Sequence, residues 1–449
     1  MPAHDRRPYS FSQYAVKQRM TGDEVDASIP KNSPAAHFTP FSPITRVGEH
    51  GERDGAHLAT GVRPVAGLAS ASGGSRQLED HPDFEADHAS VRFHAAADLV
   101  FRYGEQYDSY QASEPDYEQF WSAERQGYVS YARAGRFVLV RGGLIAPPDH
   151  QEELLGQFLD HTVKRGLHVS FFNMSDPLIP LFRKYNFQVS KWGEEPIVDL
   201  SQCTFKGKPY EWVRRQTNYC IRNGLKAFEV RPDDLPPAVW HRMQIELNEV
   251  AADSISDKAQ AGELRFFEGQ LNAERLGHRR LFIAKSEWGQ GRIEGFVVCN
   301  PITGGASWST EIYRHRRDSV RGTIAFLFQH IIERLREEGL DRLHLCIVPG
   351  LRCQEVIPGD SRLARYSFRF AGPWMSCLFD MDGLSHFKSR FRPTYEKRYI
   401  FVHPKITIGS TMAFFKILGI FNISPVNFSR VLYQRWVKCS RRKTLAKLA

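Results

Sequence analysis

The sequence predicts an α/β fold, α+β in detail, built from two similar units in tandem with mixed central sheets. Three observations carry this. Residues 280–350 read as hairpin, strand, helix, strand. Residues 127–172 repeat the order hairpin, helix, strand at the level of elements rather than identities. In both stretches a glycine, Gly166 or Gly339, closes the helix before the next strand begins.

Residues 1–88 are rich in Pro, Ser, Gly, Ala and His without periodicity, so a disordered extension is expected. Ala95–Tyr103 reads as a helix. Gly127–Val140 alternates about Ala134-Gly135, a hairpin, and Arg141–Pro147 reads as a turn. Gln151–Lys164 is a helix with Leu154, Leu155, Phe158 and Val163 inward, followed by the strand Leu167–Phe172. Asp176–Tyr185 is a second helix, with Asp176 as cap and Pro177 in its first turn. Glu211–Asn223 is a basic helix carrying Arg214, Arg215 and Arg222. Leu235–Val250 and Leu264–Arg275 read as helices around the polar loop Asp253–Gly262.

In the second unit Arg280–Lys285 and Ile293–Cys299 are strands joined at the turn residues 288–291, and Ser307–Tyr313 is the next. From Gly322, apolar residues at Ile324, Leu327, Phe328, Ile331, Ile332 and Leu335 have helical spacing. Leu343, Leu345 and Ile347 alternate with polar neighbours as a final strand. The boundaries that result are 1–88, 89–205, 206–402 and 403–449.

The net charge of +9 is localised. Residues 403–449 contain nine Lys or Arg and no Asp or Glu, and the preceding residues balance. A globally basic nucleic-acid surface is therefore not required. The seven cysteines are scattered without C-x-x-C spacing, which indicates neither a disulfide framework nor a zinc site; no cofactor or metal is expected, and a reducing compartment fits. Met412–Ile423 is apolar but too short to span a bilayer, which needs about 20 residues. With the basic segment Arg430–Lys447 it reads as an interfacial anchor; the alternative is a helix packed on the protein's own core.

The strand–helix–strand order at 280–348 resembles the core of GNAT-type acyltransferases. Acetyl-CoA users of that fold hold the pyrophosphate on a Gly-rich turn at the helix start. Here the segment is Arg317-Asp318-Ser319-Val320-Arg321-Gly322-Thr323, which lacks that spacing, so CoA is not the expected donor.

Several blocks, in this order, resemble the C-terminal catalytic domain of bacterial phosphatidylglycerol lysyltransferases, the multiple peptide resistance factor group. They are residues 127–147, 193–214, 262–271, 311–323 and 383–400, and the resemblance covers roughly 93–402. It implies a tandem GNAT-like fold. It also implies aminoacyl transfer from aminoacyl-tRNA to the hydroxyl of an anionic membrane lipid, on the inner face of the membrane. The family's multi-span half is expected to be absent. Carried over by position, the catalytic motif falls on Glu311, Ile312, Tyr313 and Arg314, and the late lysine on Lys388. Glu263 takes the acidic loop position, and Glu194 and Arg214 match the central block. Arg390, Tyr395 and Tyr399 belong to the closing block. Glu311 replaces Asp, Tyr313 replaces Met, and Gly142-Gly143-Leu144 stands where Gly-Asp-Pro is usual.

These residue types suit the chemistry. An aminoacyl ester is already activated, so positioning and charge stabilisation supply the acceleration. Glu311 either holds the α-ammonium of the amino acid or pairs with Arg314 or a neighbouring Arg. Arg314 and Lys388 suit phosphate contact or oxyanion support, against surface solvation. Glu263 either binds a cationic side chain or caps a helix. Tyr395 and Tyr399 either stack on the terminal adenine or pack in the core. Two other functions compete: an acyl-CoA-dependent N-acyltransferase, and a non-catalytic membrane- or RNA-binding module.

Overall fold

A computed structural model describes residues 82–256, 266, 269, 271–273, 275–287, 291–367, 381–421 and 429, with side chains from Phe93 onward. The chain divides into Met1–Arg76 and Gln77–Ala449, and every described residue belongs to the second unit. Residues 1–81, Glu263 and the basic segment 430–449 lie outside the described residues; residues 82–88, expected to be part of the disordered extension, instead form the first turns of a helix.

Helix α1 (Pro82–Tyr103) and a 3-10 turn (Ser109–Ser113) precede strands β1 (Glu118–Trp121), β2 (Tyr128–Ala134) and β3 (Phe137–Ile145). Helix α2 (Gln151–Val163), β4 (His168–Met174), α3 (Ile179–Lys184) and β5 (Gln188–Asp199) follow. The second half starts with α4 (Glu211–Arg222), β6 (Leu225–Val230) and α5 (Pro237–Ile255). It continues with β7 (Arg280–Ser286), β8 (Ile293–Ile302), β9 (Ser307–His315), α6 (Thr323–Glu337) and β10 (Arg342–His344). Then come β11 (Val348–Pro349), α7 (Met381–Ser389), β12 (Thr394–His403) and α8 (Ile408–Ile417).

The described strands form one twelve-stranded mixed sheet in the order β1-β2-β3-β4-β12-β5-β10-β9-β8-β7-β6, with β11 paired to β5. The tandem GNAT-like repeat is visible in it. β3 and β4 are parallel and joined through α2; β9 and β10 are parallel and joined through α6. A parallel pair needs such a crossover, because a tight turn can only reverse the chain. β12 comes from the far end of the chain, yet it lies between β4 and β5, antiparallel to both. The last strand thus completes the sheet of the first half.

Helix positions follow the apolar spacing. Leu327, Phe328, Ile331, Ile332 and Leu335 of α6 are all buried, each contributing about 1.5–3 kcal/mol of apolar burial. They pack against Val213 and Cys220 of α4 and against Phe282, Val297 and Cys299 of the sheet. In α2, Leu154, Leu155, Phe158 and Leu159 are buried, whereas Val163, expected inward, is exposed at the helix end.

Four expectations are corrected. Arg141–Ile145 is not a turn but the second half of β3, because Gly142 and Gly143 take positive φ (74° and 84°) without ending the strand. The final strand of the second half stops at His344; Leu345 still donates to the Pro196 carbonyl at 2.9 Å, but Cys346 turns away with φ 61°. Helix α5 runs on to Ile255 into the stretch read as loop. Leu271, Asn272, Ala273 and Arg275 are not helical.

The apolar stretch after β12 forms α8, opened by a capping box between Thr407 and Ser410. Its Phe414 and Phe415, with Leu418 and Ile420, share a core cluster with Phe172, Trp192, Ile400 and Val402. For these side chains the core-packing alternative holds, because the helix docks against the open face of β2 and β3. Ile408, Met412 and Phe421 remain exposed. Among the described residues no helix is long and apolar enough to cross a membrane.

Phe414 lies 5.2 Å from the Trp192 ring, edge to face. Phe414→Ala should lower unfolding stability by about 3 kcal/mol, read from a urea titration followed by tryptophan fluorescence. An unchanged midpoint would place α8 outside the cooperative core.

Candidate functional site

Glu311 owes its position to an irregularity in β9. Thr310 pairs with Cys299 and Ile312 with Val298, so Glu311 is the extra residue of a β-bulge. A regular strand would put Glu311 and Arg314, three residues apart, on opposite faces. The bulge changes the count. Ile312 enters the α5-side core and Tyr313 packs on the α6 side, which returns Arg314 to the face of Ile312. Glu311 is therefore in mid-strand. It does stand at a parting of strands: β9 and β10 pair only at Trp308 and Ser309, and beyond that point Leu345 follows β5.

The first half has a matching parting. β3 pairs β4 from Phe137 to Val140, and Arg141 is the first residue beyond. Five strand spacings of roughly 4.8 Å separate β3 from β9 along the sheet. Arg141 Nη2 nevertheless lies 3.7 Å from Glu311 Oε1. The sheet must curl to allow this, and the segment Tyr107–Ser113 fills the hollow. Ser309 Oγ donates to the Tyr107 carbonyl at 2.7 Å, tying β9 to that segment.

Both partners of the ion pair are almost fully buried. Arg141 Nη1 donates to the Tyr117 hydroxyl at 3.1 Å, and the guanidinium packs 5.6 Å from the Tyr117 ring and 5.2 Å from the Phe266 ring. Asn300 Nδ2 donates to Glu311 Oε2. Burial pushes the Glu311 carboxyl well above the usual carboxylate range, and Arg141 offsets this only in part. Asp108 is raised for the same first reason, although Arg141 and an Asn173 amide at 2.9 Å pull it down. Asn173 is itself fixed by Trp192 Nε1, which donates to its Oδ1 at 2.9 Å.

Buried polar atoms without a hydrogen-bond partner among the described residues gather here. They are Glu311 Oε1, Asp108 Oδ1, Asn300 Oδ1 and both amide atoms of Gln111. Native interiors leave few such atoms, so their concentration here singles out a candidate site. A pocket of about 370 Å³ opens beside them, lined by Gln111, Glu114, Asp116, Tyr117 and Arg141 from the first half and by Gln244 and Asn248 of α5. Arg141 is thus pocket wall on one side and partner of Glu311 on the other.

Lys388 reaches the same region from α7. Its ammonium is buried and donates to the carbonyls of Cys346 (3.0 Å) and Ile347 (3.1 Å), where the chain leaves β10. Burial raises the Cys346 thiol well above its ordinary value; Lys388 opposes this, and Glu311, Glu195 and Asp108 add to it.

The remaining candidates lie elsewhere. Glu194 on β5 pairs with Lys191 (2.7 Å) and Arg352 (2.8 Å), and Arg352 sits 5.3 Å from the half-buried Tyr395 ring. Arg214 donates to the Phe205 and Gly207 carbonyls at 2.8 and 2.6 Å, bracing the connection into α4. Arg390 packs 5.5 Å from the Trp212 ring. Tyr399 is buried in the first-half core with Phe401. Sequence reasoning missed Arg141, Asp108, Asn300 and Glu195. Arg141 did leave a signal: one cation inside the apolar run Val138–Ile145.

Glu195 is fully buried between Arg398, whose Nε donates at 2.6 Å, and His344 Nδ1 at 2.9 Å. Burial alone would raise its carboxyl, but Arg398 and His344 prevail and hold it down at about 2. The folded value lies below the ordinary 4.5, so this contribution is complete above about 4.5 and is lost as pH falls towards 2. It amounts to about 3 kcal/mol. Glu195→Gln should flatten the fall in stability across that window; an unchanged slope in acid urea titrations would contradict the assignment. For Arg141 the sign is opposite. Arg141→Met strands the Glu311 carboxylate, so the loss should be largest at high pH, about 3 kcal/mol, and shrink as pH falls and Glu311 takes a proton. Adding Glu311→Gln should restore most of it in the same titrations.

Comparison with known proteins places the chain. The family profile described as phosphatidylglycerol lysyltransferase, C-terminal, matches residues 97–402. The phosphatidylglycerol lysyltransferase of Staphylococcus haemolyticus (strain JCSC1435) is 23% identical over 305 residues, 67% of this chain and 34% of that protein. That of Staphylococcus aureus (strain MSSA476) is 23% identical over 314 residues, 69% and 36%. The chain thus spans about a third of the length of these relatives. The fold is similar to that of the C-terminal domain assigned to lysylphosphatidylglycerol synthetase in Agrobacterium fabrum, at 19% identity and TM-score 0.59, covering 73% of this chain and 95% of that one. It is also similar to L-PGS from Bacillus licheniformis, at 20% identity and TM-score 0.57, covering 76% and 96%. With a profile match that runs across both halves of the sheet, the chain belongs to the family of phosphatidylglycerol lysyltransferase C-terminal domains.

Proposed function

We propose that this protein moves an aminoacyl group from aminoacyl-tRNA to a hydroxyl of an anionic, phosphatidylglycerol-like membrane lipid. The observation that carries the reading is the buried Glu311–Arg141 pair at the parting of β9 and β10, beside unsatisfied polar atoms and a polar pocket. In the reaction the lipid oxygen forms a bond to the ester carbonyl carbon. The bond from that carbon to the ribose oxygen breaks, and the lipid hydroxyl proton ends on the ribose oxygen. No cofactor enters this balance, because the donor ester is already activated.

Ionised Glu311 receives the α-ammonium of the amino acid at its open Oε1. Arg314, three residues further along β9, supports the oxyanion or a phosphate. Lys388 acts as a positioning residue by holding the carbonyls of Cys346 and Ile347 that border the cleft. The alternative donor, acyl-CoA, is disfavoured because residues 317–323 lack the Gly-rich spacing that would hold a pyrophosphate at the start of α6. The lipid acceptor brings the chain to the cytoplasmic face of a membrane, with Ile408, Met412 and Phe421 as apolar contacts ahead of the basic segment 430–447.

The test is transfer of labelled amino acid from charged tRNA to vesicles containing phosphatidylglycerol. No labelled lipid with any amino acid, or label entering from an acyl-CoA instead, would overturn the reading. Glu311→Gln should lower kcat/KM by about a hundredfold with the fold intact. Because burial raises the Glu311 carboxyl, wild-type kcat/KM should climb with pH as that group ionises, and Glu311→Gln should lack this limb.

A further inference from the structure

Helix α4 has two faces with different chemistry. Val213, Thr217 and Cys220 are buried, and Val213 and Cys220 join the core cluster beneath α6. On the outer side Arg215, Asn218, Tyr219, Ile221 and Arg222 are exposed. A groove of about 730 Å³ runs along this side and over the start of α6, lined by Arg215, Gln216, Asn218, Tyr219, Arg222 and Arg321, with Ile221 at its edge. None of the residues lining it is acidic. Arg321 immediately precedes Gly322, the left-handed cap of α6 (φ 97°), and the first turn of α6 carries no acid. The partial positive charge of that helix end adds to three guanidinium groups.

We propose that this groove seats the single-stranded acceptor end of the RNA donor, which rests on the aminoacyl-tRNA reading above. Guanidinium groups pair with phosphate oxygens through two parallel hydrogen bonds, which suits a phosphodiester backbone. Arg215 and Arg222 stand seven residues apart on the helix, about 10 Å, so they meet successive points along a strand rather than one headgroup. Tyr219 is 45% exposed between them, an aromatic face open to solvent in the middle of a cationic groove. A nucleobase stacks on such a face whatever its identity. A membrane would instead need a contiguous apolar patch, and here Asn218 and the arginines interrupt Tyr219 and Ile221. Among the described residues, Glu211 pairs with Arg215 on the exposed surface at 2.6 Å, a contact that phosphate can displace.

The test uses the full chain and a labelled, uncharged single-stranded RNA, with binding read by fluorescence anisotropy across a salt series. Three phosphate contacts on a single strand give a slope of log K against log salt of about −2. Arg215→Gln/Arg222→Gln/Arg321→Gln should weaken binding by about tenfold or more and bring the slope close to zero. Tyr219→Ala should weaken binding with the slope unchanged, which separates stacking from charge. In transfer assays the triple variant should raise KM for charged tRNA and leave kcat in place. Wild-type affinity in the triple variant would overturn the proposal. So would a loss confined to binding of anionic vesicles, which would make the groove a membrane face. Absence of lipid transfer by a wild type that binds RNA through this groove would instead count against the reaction, so the two failures are distinguishable.

Discussion

A carboxyl and a guanidinium taken out of water each lose several kcal/mol of hydration, and mutual attraction repays this only at close range with further hydrogen bonds. Glu311 and Arg141 meet at 3.7 Å and share no hydrogen bond. Such a contact is poor at stabilising a fold. It also sets a geometric demand. Residues five strands apart can meet only if the sheet curls and if a compact, polar segment fills the hollow. Tyr107–Ser113 does this, with Asp108, Ser109, Gln111 and Ser113 all buried there.

The bulge at Glu311 and the glycines after Arg141 serve this demand in complementary ways. The bulge adds a residue to β9 and turns the carboxyl into the hollow. Gly142 keeps β3 close to the filler: a Cβ there would lie 2.9 Å from the Ser109 backbone, and Ser109 Oγ donates to the Gly142 carbonyl at 2.7 Å. Lys388 then ties α7 to the chain leaving β10 by its two carbonyl contacts. The site is thus assembled from β3, β9, α7 and a short segment before β1, none of them adjacent in sequence.

Much of the fold was legible because it is encoded locally. Alternation found β2, β3, β4 and β7 to β9, and helical spacing found α2, α4 and α6, since both periods follow from where Cβ atoms point. The limits are equally physical. The position of β12 depends on a partner two hundred or so residues away, which no local pattern records. Glu311 and Lys388 were legible only through motif resemblance, and Glu263 lies outside the described residues. Arg141 was overlooked because Gly142-Gly143 suggested a turn, whereas both glycines stay within the strand. The apolar tail could not be assigned because a core helix and an interfacial helix have the same composition.

The place of β12 has a consequence for how the molecule is made. β4 and β5 are neighbours in sequence but are kept apart by a strand synthesised some two hundred residues later. While the ribosome translates the second half, the first half has an open slot flanked by two unpaired strand edges. Its sheet closes only when Thr394–His403 emerges. The nascent chain therefore commits to both halves together, and a truncation before residue 394 leaves two exposed edges in the middle of a sheet rather than a shorter folded domain.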